Sequence, residues 1–261
     1  MSSFTILFVA DICGKAGRQA AAHLIRRLRE TYSVDYVIAN IENAAGGFGI
    51  TPEMSGKIFS YGVDVQTSGN HIWDRVQVLD YIADTPKLLR PANYPDSAPG
   101  SGSFVQKVGD YEIGVINLMG RVYMASTDCP FRTGDRLLRQ MRDTKIIFVD
   151  FHGEATSEKQ AFAHFVDGRV SAVIGTHTHV PTADEQISEK GTAYITDAGC
   201  CGPTDGVIGM DQSGVFKRMV QQLPSRFEIA GGPSAACGVV IKAEAHSGRA
   251  VDILRIRYSC T

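Results

Sequence analysis

The sequence predicts an α/β fold, a sheet with helices packed on it. Through the first half, short apolar runs alternate with segments of helical periodicity, as in successive β-α-β units. Several of the apolar runs stop at polar residues, as strands do where an open α/β sheet meets its ligand crevice. The composition agrees: 44% of the 261 residues are hydrophobic and 21% charged, the balance of a globular chain. With no repeat, low-complexity tract or linker, residues 1–261 read as one domain.

Residues 6–10 are an apolar first strand ending at Asp11. Residues 19–30 carry Ala21, Leu24, Ile25 and Leu28 on one helical face, with Arg26, Arg27 and Arg29 off it. Residues 36–39 form the next strand and run into Asn40-Ile41-Glu42-Asn43. Thr51 as N-cap with Pro52 at the first helical position starts a helix to about Ser60. A third strand, 63–67, leads to Ser68-Gly69-Asn70-His71, and a helix follows over 76–82. Residues 85–102 form a loop rich in Pro, Gly and Ser; 104–108 and 112–117 flank Gly109-Asp110 as a hairpin.

Residues 128–134 read as a loop, 137–141 as helix, and 146–150 as a buried strand ending at Phe151-His152. A helix over 157–165 precedes a strand at 171–174, which ends in Gly175-Thr176-His177-Thr178-His179. Residues 192–196 are a strand, 197–211 a Gly-rich loop and 214–221 a helix; the runs 226–230, 237–242 and 250–257 are β-rich.

A net charge of −2 supplies no global field for polyanions, so binding of long nucleic acids is not expected. No apolar run approaches the ~20 residues of a membrane span, and the N-terminus lacks a basic leader. Six cysteines without a CxxC pair read as free thiols in a reducing cytoplasm.

Five predicted strands end in Asp11; Glu42 and Asn43; Asn70 and His71; His152; and His177 with His179. Strand ends lie ~5 Å apart, so these side chains converge on one crevice. Carboxylates, carboxamides and imidazoles without a required thiolate suit Mn, Fe or Zn. Two metals about 3.5–4 Å apart need a bridging carboxylate, for which Asp11 and Glu42 are the candidates. Nucleotide-binding glycine fingerprints are incomplete at Gly14–Gly17 and at Gly46–Gly49, and no G-x-S-x-G elbow is present. Trp73 is a candidate for base stacking or for packing. Arg90 and Arg121 are candidates for a phosphate clamp or for surface ion pairs.

This ordered set, with Asn40-Ile-Glu-Asn-Ala-Ala-Gly-Gly, Gly69-Asn-His-Ile-Trp-Asp, Leu89-Arg-Pro-Ala-Asn, Asp150-Phe-His-Gly-Glu-Ala-Thr-Ser-Glu-Lys and Gly175-Thr-His-Thr-His-Val-Pro-Thr-Ala-Asp, resembles the YmdB-like subfamily of calcineurin-like metallophosphoesterases over nearly the whole chain. The resemblance implies a four-layer α/β/β/α sandwich with two mixed sheets and a dinuclear centre of divalent iron or manganese, zinc being the third choice. Carried over by position, Asp11, Glu42, Asn43 and His179 hold one metal. Glu42, Asn70, His152 and His177 hold the other, with Glu42 bridging.

His71 is then the acid or phosphate-contacting group beside the centre, with Asp74 either orienting it or capping the next helix. The implied activity is hydrolysis of cyclic nucleotides such as 2′,3′-cyclic AMP to nucleoside monophosphates by a metal-bridging hydroxide. Self-association is implied too. The rival readings are a regulatory protein with incidental turnover, or a phosphomonoesterase or nuclease on the same centre. The sequence departs from the broad D-x-H pattern at Asp11-Ile12-Cys13; Cys13 stands at the histidine's position as an alternative thiolate ligand, and Asn43 is the favoured replacement.

Overall fold

The computed structural model describes residues 2–260. One sheet is built from β1 (Ser3–Val9), β2 (Asp11–Ile12), β3 (Tyr36–Asn40), β4 (Val65–Thr67), β11 (Cys200–Pro203), β12 (Ser234–Glu244) and β13 (Ala250–Cys260). Its order is β2-β11-β12-β1-β3-β4, with β13 also paired to β12. The second sheet holds β5 (Ser103–Val108), β6 (Tyr111–Met119), β7 (Ile146–His152), β8 (Ala172–Thr176), β9 (Gln186–Ile187) and β10 (Ala193–Ile195), in the order β5-β6-β7-β8-β10-β9. Both sheets are mixed. β1, β3 and β4 run parallel while β12 opposes β1; β6, β7, β8 and β10 run parallel between antiparallel edges.

Period-two alternation sorts the side chains into layers. On β1, Ile6 and Phe8 face the second sheet, whereas Leu7 and Val9 face the helices α1 (Gly14–Tyr32), α2 (Pro52–Phe59) and α3 (Val78–Ala83). On β7, Ile146 and Phe148 point inward, and Ile147, Val149 and Phe151 meet α4 (Pro130–Gln140) and α5 (Thr156–Phe165). The result is the expected α/β/β/α sandwich. The parallel strands β1, β3, β4, β7 and β8 all end on one side, which is where the polar strand ends gather. No helix among the described residues is long and apolar enough to cross a membrane.

Several boundaries differ from expectation. α1 begins at Gly14 rather than 19, because Gly17 lets it lie against β11; a Cβ there would stand 2.2 Å from the Cys201 carbonyl. α4 starts at Pro130, inside the expected loop 128–134, since proline needs no N–H in a first turn. The Gly-rich loop contains β11, paired with both β2 and β12. The run 226–230 makes only an isolated bridge between Ile229 and Met210, because it runs beside the preceding loop and not along a strand. α6 (Gln212–Met219) is capped by Asp211, whose carboxylate accepts the Ser213 N–H. α2 follows expectation, with the Thr51 hydroxyl accepting the Met54 N–H.

Phe8 and Phe148 join the two sheets, ring centroids 5.2 Å apart and both fully buried. Phe148→Ala is expected to cost about 3–5 kcal/mol. Urea unfolding should show a lower midpoint with an unchanged slope.

Candidate metal centre

Glu42 sits at the middle of the crevice, fully buried, in the turn after β3. Asn40 shapes that turn, its side-chain oxygen accepting the Glu42 N–H at 3.2 Å. Glu42 Oε1 lies 3.1 Å from His152 Nε2 and 3.3 Å from Asn43 Nδ2, while Oε2 accepts the His71 N–H at 3.1 Å. Around His152 Nε2 stand also Asn70 Oδ1 and His177 Nδ1, each at 3.0 Å. One imidazole nitrogen carries at most one proton, so this position gathers more acceptors than a hydrogen can serve. Donor atoms of Glu42, His152 and His177 all lie within 4.8 Å of one another.

The other half forms around Asp11, also fully buried. Its Oδ2 accepts the His177 N–H at 3.0 Å and lies 3.4 Å from His179 Nε2. Its Oδ1 is the one buried side-chain polar atom without a hydrogen-bond partner among the described residues. His179 Nδ1 donates to the Ile208 carbonyl at 3.0 Å, which leaves Nε2 as a lone-pair donor 3.2 Å from Asn43. An orphaned carboxylate oxygen and lone pairs turned toward one another fit divalent cations. All eight expected site residues are thus placed in one crevice.

The electrostatics agree. Burial alone would push the Glu42 carboxyl up, but the charge and hydrogen bond of His152 bring it down to about 2. Burial opposes charge on His152 too, yet Glu42, with Asp11 and Asp150 behind it, holds it at about 9. His177 is lowered to about 3 by burial and by the neighbouring His152, and burial lowers His179. Burial, helped by the nearby Glu42 carboxylate, raises Asp11 well above the usual range despite His152. Glu42 and His152 thus form a charged pair, while burial holds Asp11 toward its protonated form and His177 and His179 toward their neutral forms.

Residues that sequence reasoning left unassigned position this set. Thr176 Oγ1 meets His152 Nδ1 at 2.9 Å and donates to Asp150 Oδ1 at 2.7 Å. Asp150 also accepts from Asn40 at 3.0 Å and Thr67 at 2.5 Å. A charged residue inside an apolar strand, two positions before His152 on the same face, was the available signal. His177 and His179 hold positive φ of 102° and 64°, conformations that cost roughly 1–3 kcal/mol each. Between them, Thr178 donates its N–H and hydroxyl to Asp197 Oδ2 at 3.0 and 2.8 Å. Asp197 pairs in turn with buried Lys159 at 2.9 Å.

His71 lies on the rim. Its Nδ1 is 2.7 Å from Asp74 Oδ2, and Phe48 meets its ring edge-on at 5.0 Å. Asp74 therefore orients His71 and does not cap α3, which begins after Gln77. A cleft of about 970 Å³ opens past His71, with Phe48, Ile208, Met219 and Phe227 among its walls. The loop carrying Phe48 is tied down by Arg75, which donates to the Phe48 carbonyl at 3.0 Å and the Ala45 carbonyl at 2.6 Å.

The other candidates make contacts of their own. Arg90 is buried and donates to the carbonyls of Pro91, Ala98 and Pro99. The Arg121 guanidinium meets Cys129 at 3.6 Å. Trp73 packs on Tyr94, centroids 5.7 Å apart. Cys13 belongs to a small buried cluster with Met210 and Val215, and all six cysteines are free thiols.

Residues 7–256 match the family of YmdB-like proteins. The chain belongs to the YmdB-like family. It is 45% identical over 252 residues, 96% of each chain, to a Bacillus subtilis (strain 168) protein named 2′,3′-cyclic-nucleotide 2′-phosphodiesterase. A crystal structure of a Thermus thermophilus protein superposes with TM-score 0.92 at 37% identity, covering 98% of this chain and 99% of that one. A Mycoplasma pneumoniae phosphatase superposes with TM-score 0.95 at 34% identity, covering 99% and 94%. The YmdB-like match spans every residue of the crevice.

Gly69 admits no side chain, since a Cβ would stand 2.2 Å from His152 Nε2 and 2.5 Å from Glu42 Oε2. Gly69→Ala is expected to fold but to displace one of these groups. Elemental analysis should then find less bound metal than in the unsubstituted protein.

Proposed function

We propose that this protein is a metal-dependent phosphodiesterase that opens 2′,3′-cyclic nucleotides to nucleoside monophosphates. The convergence of five strand ends on buried Glu42 carries the reading, and the B. subtilis relative supplies the substrate class. Asp11, Glu42, Asn43 and His179 would hold one divalent metal, and Glu42, Asn70, His152 and His177 the second, with iron or manganese the metals the resemblance implies. Bound there, the metals supply Lewis acidity and lower the pKa of water from 15.7 towards about 7.

The chain's own groups supply orientation and protons. Asp74 occupies His71 Nδ1, so Nε2 is the nitrogen left to protonate the departing ribose oxygen. The relative's name puts the broken ester at the 2′ oxygen, which makes a 3′-phosphate the product. Phe48 fixes His71 from the side, and the apolar cleft walls offer the base a surface for stacking. Thr176 and Asp150 hold His152 by its far nitrogen, fixing the ring toward Glu42.

Hydrolysis of 2′,3′-cyclic AMP by the Mn²⁺-loaded protein, with a chelated control, tests the reading. Metal-dependent release of 3′-AMP is expected; a fully loaded protein without turnover would favour a regulatory role. His71→Ala should lower kcat about 10²–10⁴-fold with metal content unchanged. Loss of metal in that variant would make His71 a ligand. Glu42→Ala should lose both metals, and a variant retaining two would end the bridging role. In the metal-free protein His152 is protonated at pH 7, its pKa being raised to about 9. Metal uptake must expel that proton, so apparent affinity should rise about ten-fold per pH unit from 7 to 9 and level above. A flat profile, read by metal titration across that range, would remove His152 from the ligand set.

A further inference from the structure

At the opposite end of the second sheet, a polar pocket of about 220 Å³ is lined by Arg142, Lys145, Arg169, Lys190 and Arg249. Four loops that lead into strands deliver them: Lys145 precedes β7, Arg169 precedes β8, Lys190 precedes β10 and Arg249 precedes β13. β7 runs from this pocket to His152, a span of ~20 Å at ~3.3 Å per residue. Five cations in one pocket stand out in a chain of net charge −2.

Part of this charge has a local use. α4 and α5 both end here, and cations offset the negative end of a helix. Arg142 also pairs with Asp143 at 3.6 Å, and Arg169 with Asp135 at 2.8 Å. The remaining three have no carboxylate within 4.0 Å among the described residues. Of the nearby acids, Asp167 accepts from Ser188 and Glu244 from Ser247 at 2.8 Å, while Arg249 donates to the Glu189 backbone carbonyl.

Glycines place the unpaired cations. The Lys190 stem crosses Gly168, and the Arg249 side chain crosses Gly191; a Cβ on either glycine would meet them at 3.0 Å. Gly248 brings its turn against the start of β7, where a Cβ would lie 1.8 Å from the Lys145 carbonyl. All three glycines hold positive φ, between 75° and 90°.

We propose that this pocket is a second, non-catalytic binding site for a small phosphate dianion. Lys145, Lys190 and Arg249 are its principal charges, and Arg142 and Arg169 form its edge. An anion there supplies the counter-charge that no carboxylate of the chain provides.

The test is an amide NMR titration of the metal-loaded protein with inorganic phosphate, against chloride at matched ionic strength. The amides of Gly168, Gly191 and Gly248 report on this pocket, apart from phosphate bound at the metal centre. Saturable shifts are expected with phosphate and not with chloride. Lys190→Ala/Arg249→Ala should weaken that binding about ten-fold or more while 2′,3′-cyclic AMP turnover stays unchanged. Lys190→Arg/Arg249→Lys, which keeps the charge, should retain binding. Shifts that never saturate, or that persist equally in the alanine variant, would overturn the site.

Discussion

A carboxylate shut away from water must meet positive charge or lose its own, and the crevice is organised around that constraint at Glu42. In the protein alone the His152 imidazolium meets it, at 3.1 Å, which is why the carboxyl falls and the imidazole rises together. His152 Nε2 faces two oxygen acceptors and a second imidazole, and Asp11 Oδ1 has no hydrogen-bond partner among the described residues. Divalent cations would relieve both conditions with the same side chains in place.

That convergence needs rigid support, because its members come from both sheets. Phe8 and Phe148 lock the inner faces together beneath it. Asp150 ties β3, β4, β7 and β8 to one carboxylate, through Asn40, Thr67, its own strand and Thr176. The buried Asp197–Lys159 pair holds the strained loop in which His177 and His179 turn toward the two halves of the site. Breaking a buried pair by removing one partner leaves an uncompensated charge, so these supports are demanding in their own right.

The parallel strands also give the molecule two chemically distinct ends. Their carboxyl ends carry acids and imidazoles suited to cations, beside a cleft with apolar walls. The loops that enter β7, β8, β10 and β13 carry cations instead, some spent on helix termini and carboxylates and some not. A chain close to neutrality therefore presents separated charge at the ends of one sheet.

The residues that converge, and their order, were legible in the sequence because strand ends announce themselves: a short apolar run stops at Asp, Glu, Asn or His. The same periodicity determined the layers, since Leu7 and Phe8 must face opposite sides of β1. It could not resolve Asp74, which suits a helix cap as well as a histidine partner until the distance to His71 is known. Nor could it find β11 among glycines, or start α1 at Gly14, because both depend on Gly17 lying against a strand far along the chain. Arg90 and Arg121 read as anion clamps only until their surroundings fill with carbonyls and a thiol. Asp197, Lys159 and the partly unpaired basic pocket likewise came from the tertiary structure. Local sequence specifies what a residue can do and which face it occupies. Which distant partner satisfies a buried charge, and which charge is left unsatisfied, is decided only when the loops between strands are packed.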